Sequence, residues 1–232
     1  MRWATRSVES GELLLPGWLR PHRGEQRWSV VAVVLAAIGL QLALPDSFVL
    51  RPRPAAPAFE AVLCVLLMVW NPGPINDRRP WLRQLSLGLI GLLAITNVIS
   101  TVLLIRVIVG GHSVSAVHLL ASGAAIWLTN VIVFALWYWE FDRGGPAARA
   151  RGDRHQPDFL FVQMTDDRLD PNWRARFLDY LYLSFTNATA FSPTDTLPLT
   201  RWAKLLMLNQ SLVSLLIVGL VAARAVNVLP SG

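Results

Sequence analysis

Five apolar segments alternate with polar stretches along this chain, and one further segment is short and amphipathic. The apolar segments span residues 28–50, 58–70, 84–109, 115–141 and 202–226, and the second reaches the length of a span only if its flanking residues are counted. A helix needs about 20 apolar residues to cross the hydrocarbon core of a bilayer. The pattern therefore predicts an all-α polytopic membrane protein with five transmembrane helices. The amphipathic segment, Phe177–Ala190, predicts a helix that is too short to cross.

The polar stretches between these segments divide the chain into three regions. Residues 1–27 form a basic, amphipathic N-terminal tail, and residues 28–114 form a membrane region with three spans. Residues 115–228 form a second membrane region. Its predicted parts are a helix over 115–141, a polar loop over 142–176, a short helix over 177–190, a turn over 191–195 and a last helix over 201–227.

Composition supports a membrane protein and argues against a nucleic-acid partner. Hydrophobic residues make up 53% of the 232 residues, and the formal net charge of +6 comes almost wholly from arginine, because Lys204 is the only lysine. Arginines that flank apolar helices contact anionic headgroups. We therefore expect the lipid bilayer of the cell membrane to be the main partner. Nucleic-acid binding would need a basic, aromatic face on a soluble module, and the sequence has none.

The sequence gives little support for catalysis. The histidines are scattered, and no metal-ligand spacing or nucleophile elbow accompanies them. Cys64 is the only cysteine, which rules out an intrachain disulfide. We therefore predict that the protein is not an enzyme and that it needs no cofactor or metal.

Residues 184–204 carry the most specific motif, SFTNATAFSPTDTLPLTRWAK. This motif resembles the pore hairpin of potassium channels, in which a short pore helix leads into a TVGYG-type filter and then into an inner helix. Thr189 falls on the filter threonine, and Asp195 falls on the aspartate that closes the filter. The resemblance extends over residues 126–227. It implies a re-entrant pore helix, a homotetramer and an ion-permeation pore.

The motif departs from potassium channels at the filter itself. Ser192 and Thr194 stand at the positions of the filter glycines, and Pro193 stands at that of the tyrosine. Glycine permits backbone conformations that other residues resist, and proline fixes φ and lacks an N–H. We therefore expect a pore that is not potassium-selective. Its constriction would be lined by the hydroxyls of Thr189, Ser192 and Thr194, and a ring of Asp195 would favour monovalent cations.

A second interpretation of the same motif requires no conduction. Ser192 and Pro193 would begin an ordinary turn, and Asp195 or Thr200 would cap the helix that follows. The protein would then be a non-conducting membrane scaffold or sensor that keeps the channel-like architecture.

Several polar residues interrupt the apolar segments. Asn97 and Asn130 are expected to hydrogen-bond between helices. Gln210 and Ser214 are four residues apart and so share one helix face. They either line a cavity beneath the constriction or pack against neighbouring helices. Glu60, at the start of the second segment, is expected at the membrane interface.

Two arguments disagree about which loops of the chain face the cytoplasm. Arginines concentrate in the tail, in the loop around residues 71–83 and in the loop 142–176, and with five spans these three segments share one side. The positive-inside rule makes that side cytoplasmic. A potassium-channel hairpin instead enters the membrane from outside. We favour the charge rule, because it is an energetic preference and the resemblance carries no sidedness.

Overall fold

The computed structural model describes residues 15–71, 73–76, 79–110, 115–153, 156–166, 168–190 and 195–228, which are mostly helical. The α-helices in these ranges are α1 (Trp28–Ala43), α2 (Ala55–Trp70), α3 (Pro80–Val109), α4 (Ala116–Phe141), α5 (Pro146–Arg151), α6 (Phe177–Ala190) and α7 (Arg201–Val228). Strands β1 (Phe159–Phe161) and β2 (Thr196–Pro198) pair antiparallel, with Leu160 opposite Leu197. Short 3-10 turns lie at Gly17–Leu19, Asp46–Phe48, Asp142–Gly144 and Val162–Met164.

Three helices of the described chain are long and apolar enough to cross a membrane: α3, α4 with its continuation into α5, and α7. Helices α1 and α2 are apolar, but they have 16 residues each. At 1.5 Å per residue they are about 24 Å long, which is shorter than the ~30 Å hydrocarbon core. The first helix ends earlier than the predicted residue 50. Leu44 precedes Pro45, and a residue before proline is disfavoured in the α conformation.

Local chemistry explains several helix ends. Pro80 begins α3, a position where its missing N–H costs nothing. Ser115 caps α4, because its hydroxyl oxygen accepts the N–H of His118 at 3.3 Å. Thr200 does not cap α7 in the same way. Its hydroxyl is buried and finds no hydrogen-bond partner among the described residues, so that predicted cap is wrong.

The predicted tail and the two arginine-bearing loops meet at one end of the helices. We call the described parts of residues 15–27, 71–79 and 142–176 the arginine-rich end. Glu25 connects it: its Oε2 accepts the indole N–H of Trp139 at 2.9 Å, and its Oε1 accepts the backbone N–H of Phe177 at 2.7 Å. The Glu25 carbonyl also accepts the N–H of Ile75 at 3.0 Å. The described parts of the three segments therefore lie together at one end of the helices, and their position on one side of a membrane stays a prediction.

Helices α1, α3, α6 and α7 begin at the arginine-rich end, and α2 and α4 finish there. Helix α4 lies at the centre and packs against α1, α3, α6 and α7. An apolar cluster lies at the opposite end of the helices, where Phe48, Leu104 and Leu119 are buried together. Near that end α4 and α7 approach closely: a β-carbon on Gly123 would come within 2.8 Å of Val221.

Candidate functional site

Helix α6 lies against α4 and runs in the opposite direction to it. The Ser184 hydroxyl donates to the carbonyl of Val131 at 2.6 Å, and the ring of Phe185 meets that of Trp127 at 5.8 Å, edge to face. Phe177, the first residue of α6, is held at the arginine-rich end. The short helix therefore extends from that end towards the middle of α4. The predicted bounds of the helix are confirmed.

A buried polar cluster joins α6 to α4 and α7, with Gln210 at its centre. The Gln210 Oε1 accepts the hydroxyl of Tyr138 at 2.6 Å and the amide of Asn187 at 2.8 Å. The Gln210 Nε2 donates to the carbonyl and the hydroxyl of Ser184 at 2.9 and 2.7 Å. The Asn187 amide also donates to the carbonyl of Met207 at 3.0 Å. The cluster therefore links three helices through side chains whose polar atoms are paired.

One turn further along α7, Ser214 takes part in a second polar chain. Asn130 donates to the Ser214 hydroxyl at 3.3 Å, and Asn97 donates to Asn130 Oδ1 at 3.4 Å. These three residues connect α3, α4 and α7, and all are buried. The packing role predicted for Asn97 and Asn130 is confirmed.

The placement of Gln210 and Ser214 decides between their two predicted roles. Both side chains are fully buried within a single protomer and bonded to its own helices. A group that lines a cavity between copies must reach the protomer surface, and neither does so in this structure. The outward position on this part of α7 is taken by Asn209, which is exposed. The structure therefore supports the packing role for both residues.

Of the five filter-like residues, the structure describes Thr189 and Asp195, and both are exposed. The Thr189 hydroxyl donates to carbonyls of its own helix, those of Phe185 at 2.9 Å and Thr186 at 3.2 Å. Ser192, Pro193 and Thr194 lie outside the described residues, so their predicted part in a constriction stays a prediction.

Strand β2, which follows α6 in the chain, lies at the arginine-rich end and pairs there with β1. Asp158, next to β1, anchors this return: its carbonyl accepts the N–H of Leu199 at 2.8 Å, and its Oδ1 accepts the indole N–H of Trp202 at 2.9 Å. Asp142 in turn accepts the N–H of Asp158 at 2.9 Å and the hydroxyl of Tyr180 at 2.6 Å. The start of α6 and the segment that leads into α7 are thus both fixed at one end of α4.

Sequence reasoning missed most partners in these clusters. Ser184 and Asn187 are three residues apart on the amphipathic helix, a spacing that places them on one face and could have identified them. Tyr138 lies in the aromatic stretch Trp137–Trp139, and because tryptophan and tyrosine are common at membrane interfaces, this stretch gives no sign of a buried polar partner. Asp158 carried no signal, because acidic residues in a polar loop are usually solvated.

Glu60 also differs from its prediction. It is fully buried rather than interfacial. Its Oε1 accepts hydrogen bonds from Gln41 at 3.3 Å and Thr96 at 3.1 Å. The residue therefore joins α1, α2 and α3 inside the bundle.

The chemistry of the described residues is that of packing and positioning. They contain no group of three or more His, Cys, Asp or Glu side chains that could hold a metal ion. Comparison of the chain with protein-family models, with curated proteins and with solved structures found no match.

Proposed function

We propose that the chain is a cell-membrane protein in which all five apolar helices cross the bilayer and residues 177–195 form a re-entrant hairpin. Helix α6 has 14 residues, about 21 Å in length, so it reaches only part of the way across a ~30 Å core. Helices α1 and α2 would cross with apolar flanking residues such as Leu44 and Val49 and with local thinning of the bilayer.

The function that we propose is ion permeation through a homotetramer that is not potassium-selective. One observation carries this proposal: α6 and α7 begin at the same end of α4, α6 extends away from that end, and strand β2, which follows α6 in the chain, lies at that end again. The buried cluster around Gln210 holds α6 in place, as a pore helix requires. The hydroxyls of Thr189, Ser192 and Thr194 would line the constriction. Four copies of Asp195 would attract monovalent cations.

The surface left for neighbouring copies is the outer face of α6 and α7. On α6 this face carries Leu178, Tyr182 and Thr189, and on α7 it carries Leu208 and Asn209, all exposed in the protomer. A single hairpin supplies a quarter of a tetrameric pore. In such a tetramer Asn209, rather than Gln210, is the polar side chain of α7 available to the shared axis.

One observation favours the second candidate function, a non-conducting membrane scaffold or sensor. The exposed face of α7 carries many leucines, among them Leu205, Leu212 and Leu216, whereas the polar side chains of Gln210 and Ser214 are buried. A face of this kind suits contact with lipid as well as contact with another helix.

Reconstitution of the purified full-length protein in planar bilayers tests conduction. We expect discrete currents that carry cations in preference to anions. Asp195→Asn should reduce that preference, because it removes one negative charge per copy at the mouth. Asp170→Asn is the matched control: Asp170 is an exposed loop residue that bonds only locally, to the N–H of Asn172, so this variant should conduct like the wild type.

Two results would contradict the proposed pore. One is an absence of current from a protein that is folded and inserted. The other is current with the same ion preference in wild type and Asp195→Asn. A strict monomer in mild detergent and in bilayers would also exclude the tetramer and leave the scaffold or sensor role.

A further inference from the structure

The arginine-rich end contains a cleft that neither conduction nor the hairpin uses. Its volume is about 390 Å³, within the range of ligand sites. It lies between the beginnings of α1 and α3, the end of α4 and the start of α5. We propose that this cleft binds one anionic phospholipid, with the phosphate among its arginines and an acyl chain on the apolar side.

The charges that line the cleft suit a phosphate. Four arginines border it, Arg27, Arg79, Arg83 and Arg151, against two carboxylates, Glu140 and Asp153. The carboxylates are already paired: Glu140 with Arg83 at 3.4 Å and Asp153 with Arg151 at 2.6 Å. The described residues that line the cleft therefore carry a net formal charge of +2. Arginine binds phosphate oxygens through paired N–H groups.

Arg27 gives an independent sign that a ligand is expected. Its Nε is buried and has no hydrogen-bond partner among the described residues. A buried donor without an acceptor is costly, and such groups are rare in folded proteins. A phosphate in the adjacent cleft would supply the missing acceptor once the Arg27 side chain turns towards it.

A small apolar crevice, about 30 Å³ in volume and so able to take only a short part of an acyl chain, continues from the cleft into the helix bundle. It shares Arg27, Ser86 and Trp139 with the cleft, and its other walls include Val34 and Leu89. A basic pocket that opens onto an apolar crevice matches a lipid, which joins a phosphate to hydrocarbon. A free phosphate would use only the basic part.

Exposed tryptophans flank the residues that line the cleft. Trp70 and Trp81 contact edge to face with centroids 5.1 Å apart, and Trp28 follows Arg27 directly. Tryptophan is enriched at the boundary between headgroups and hydrocarbon. Basic pockets between membrane helices at this level bind anionic headgroups.

Native mass spectrometry of the full-length protein in detergent tests the proposal, with added phosphatidylglycerol or phosphatidylcholine of identical acyl chains. We expect preferential retention of phosphatidylglycerol. Arg27→Gln and Arg79→Gln should each weaken that retention about fivefold. Arg201→Gln removes the same charge at the same end but outside the cleft, so it should bind like the wild type.

Two further measurements separate a lipid from a free anion. Ser86→Phe fills the crevice without changing charge and should weaken lipid retention. Thermal unfolding of the wild type should shift upward with phosphatidylglycerol and not with inorganic phosphate. If Arg27→Gln does not fold, the Arg79→Gln variant still tests lipid binding in the cleft, because Arg79 is exposed.

Three outcomes would overturn the lipid site. The first is equal retention of the two lipids, and the second is wild-type retention by both arginine variants. The third is an equal thermal shift with inorganic phosphate, which would indicate an anion site without an acyl chain. None of these outcomes depends on whether the protein conducts ions.

Discussion

At the scale of single residues, Gln210 is the side chain on which the position of α6 most depends. It bonds to Tyr138, Ser184 and Asn187, which belong to two other helices. Gln210→Leu keeps a similar volume but leaves these polar groups without their partner inside the bundle. We expect it to lower the free energy of unfolding by roughly 2 kcal/mol, since each hydrogen bond between membrane helices contributes modestly and buried unpaired groups are costly.

Denaturant unfolding in mixed micelles measures this difference. Asn209→Leu is the matched control, because the adjacent side chain is exposed. It should change the free energy of unfolding by less than about 0.5 kcal/mol. Equal losses in the two variants would mean that the cluster does not stabilise the hairpin.

The neighbours Asn209 and Gln210 also show where sequence reasoning stops. The spacing of Gln210 and Ser214 correctly places them on one face of α7. Which way that face points could not be predicted, because a membrane helix is apolar around most of its circumference. Hydrophobic periodicity, which identifies the inner face of a helix in water, carries little information there.

At the scale of elements, the apolar segments and the short helix Phe177–Ala190 were predictable from composition and length. The strands β1 and β2 were not, because each has three residues and β2 ends in Pro198. Their pairing joins residues far apart in the chain, which no local pattern signals. The loop over 142–176 was predicted only as a polar loop, and nothing in its composition indicated that Asp142 and Phe159 are completely buried.

The docking of the N-terminal segment on α5 is an element-scale contact that should respond to pH. His22 donates its backbone N–H to the carbonyl of Ala150 at 2.7 Å, and its Nδ1 accepts the N–H of Gly24 at 3.0 Å. Burial first, and then the charges of the neighbouring Arg174, Arg149, Arg143 and Arg176, together lower the pKa of His22 to about 4.

The sign of the pH effect follows from that shift. The folded state holds His22 neutral, whereas the unfolded chain protonates it near its ordinary pKa of about 6.5. The stability that neutral His22 contributes is therefore complete above about pH 6.5 and is lost as the pH falls towards 4. Thermal unfolding between pH 7.5 and 4.5 should show a steeper loss in wild type than in His22→Gln. His118→Gln, at an exposed position on α4, should follow the wild type, and parallel curves for wild type and His22→Gln would refute the effect.

At the scale of the whole molecule, the arginine-rich end is the feature from which we predict which side of the membrane each end of the helices faces. Its charges come from three segments that the structure brings together, so the positive-inside rule acts on one surface and not on scattered loops. We therefore expect this end in the cytoplasm, opposite to the side from which a potassium-channel hairpin enters.

Cys64 is the only cysteine and is buried, so Cys64→Ala gives a cysteine-free background in which single cysteines can be introduced as reporters. In intact bacterial cells a membrane-impermeant maleimide should label Asp46→Cys, exposed at the opposite end, and should leave Leu169→Cys, exposed at the arginine-rich end, unlabelled until the cells are opened. The reverse pattern would place the arginines outside and give the hairpin the sidedness of a potassium channel.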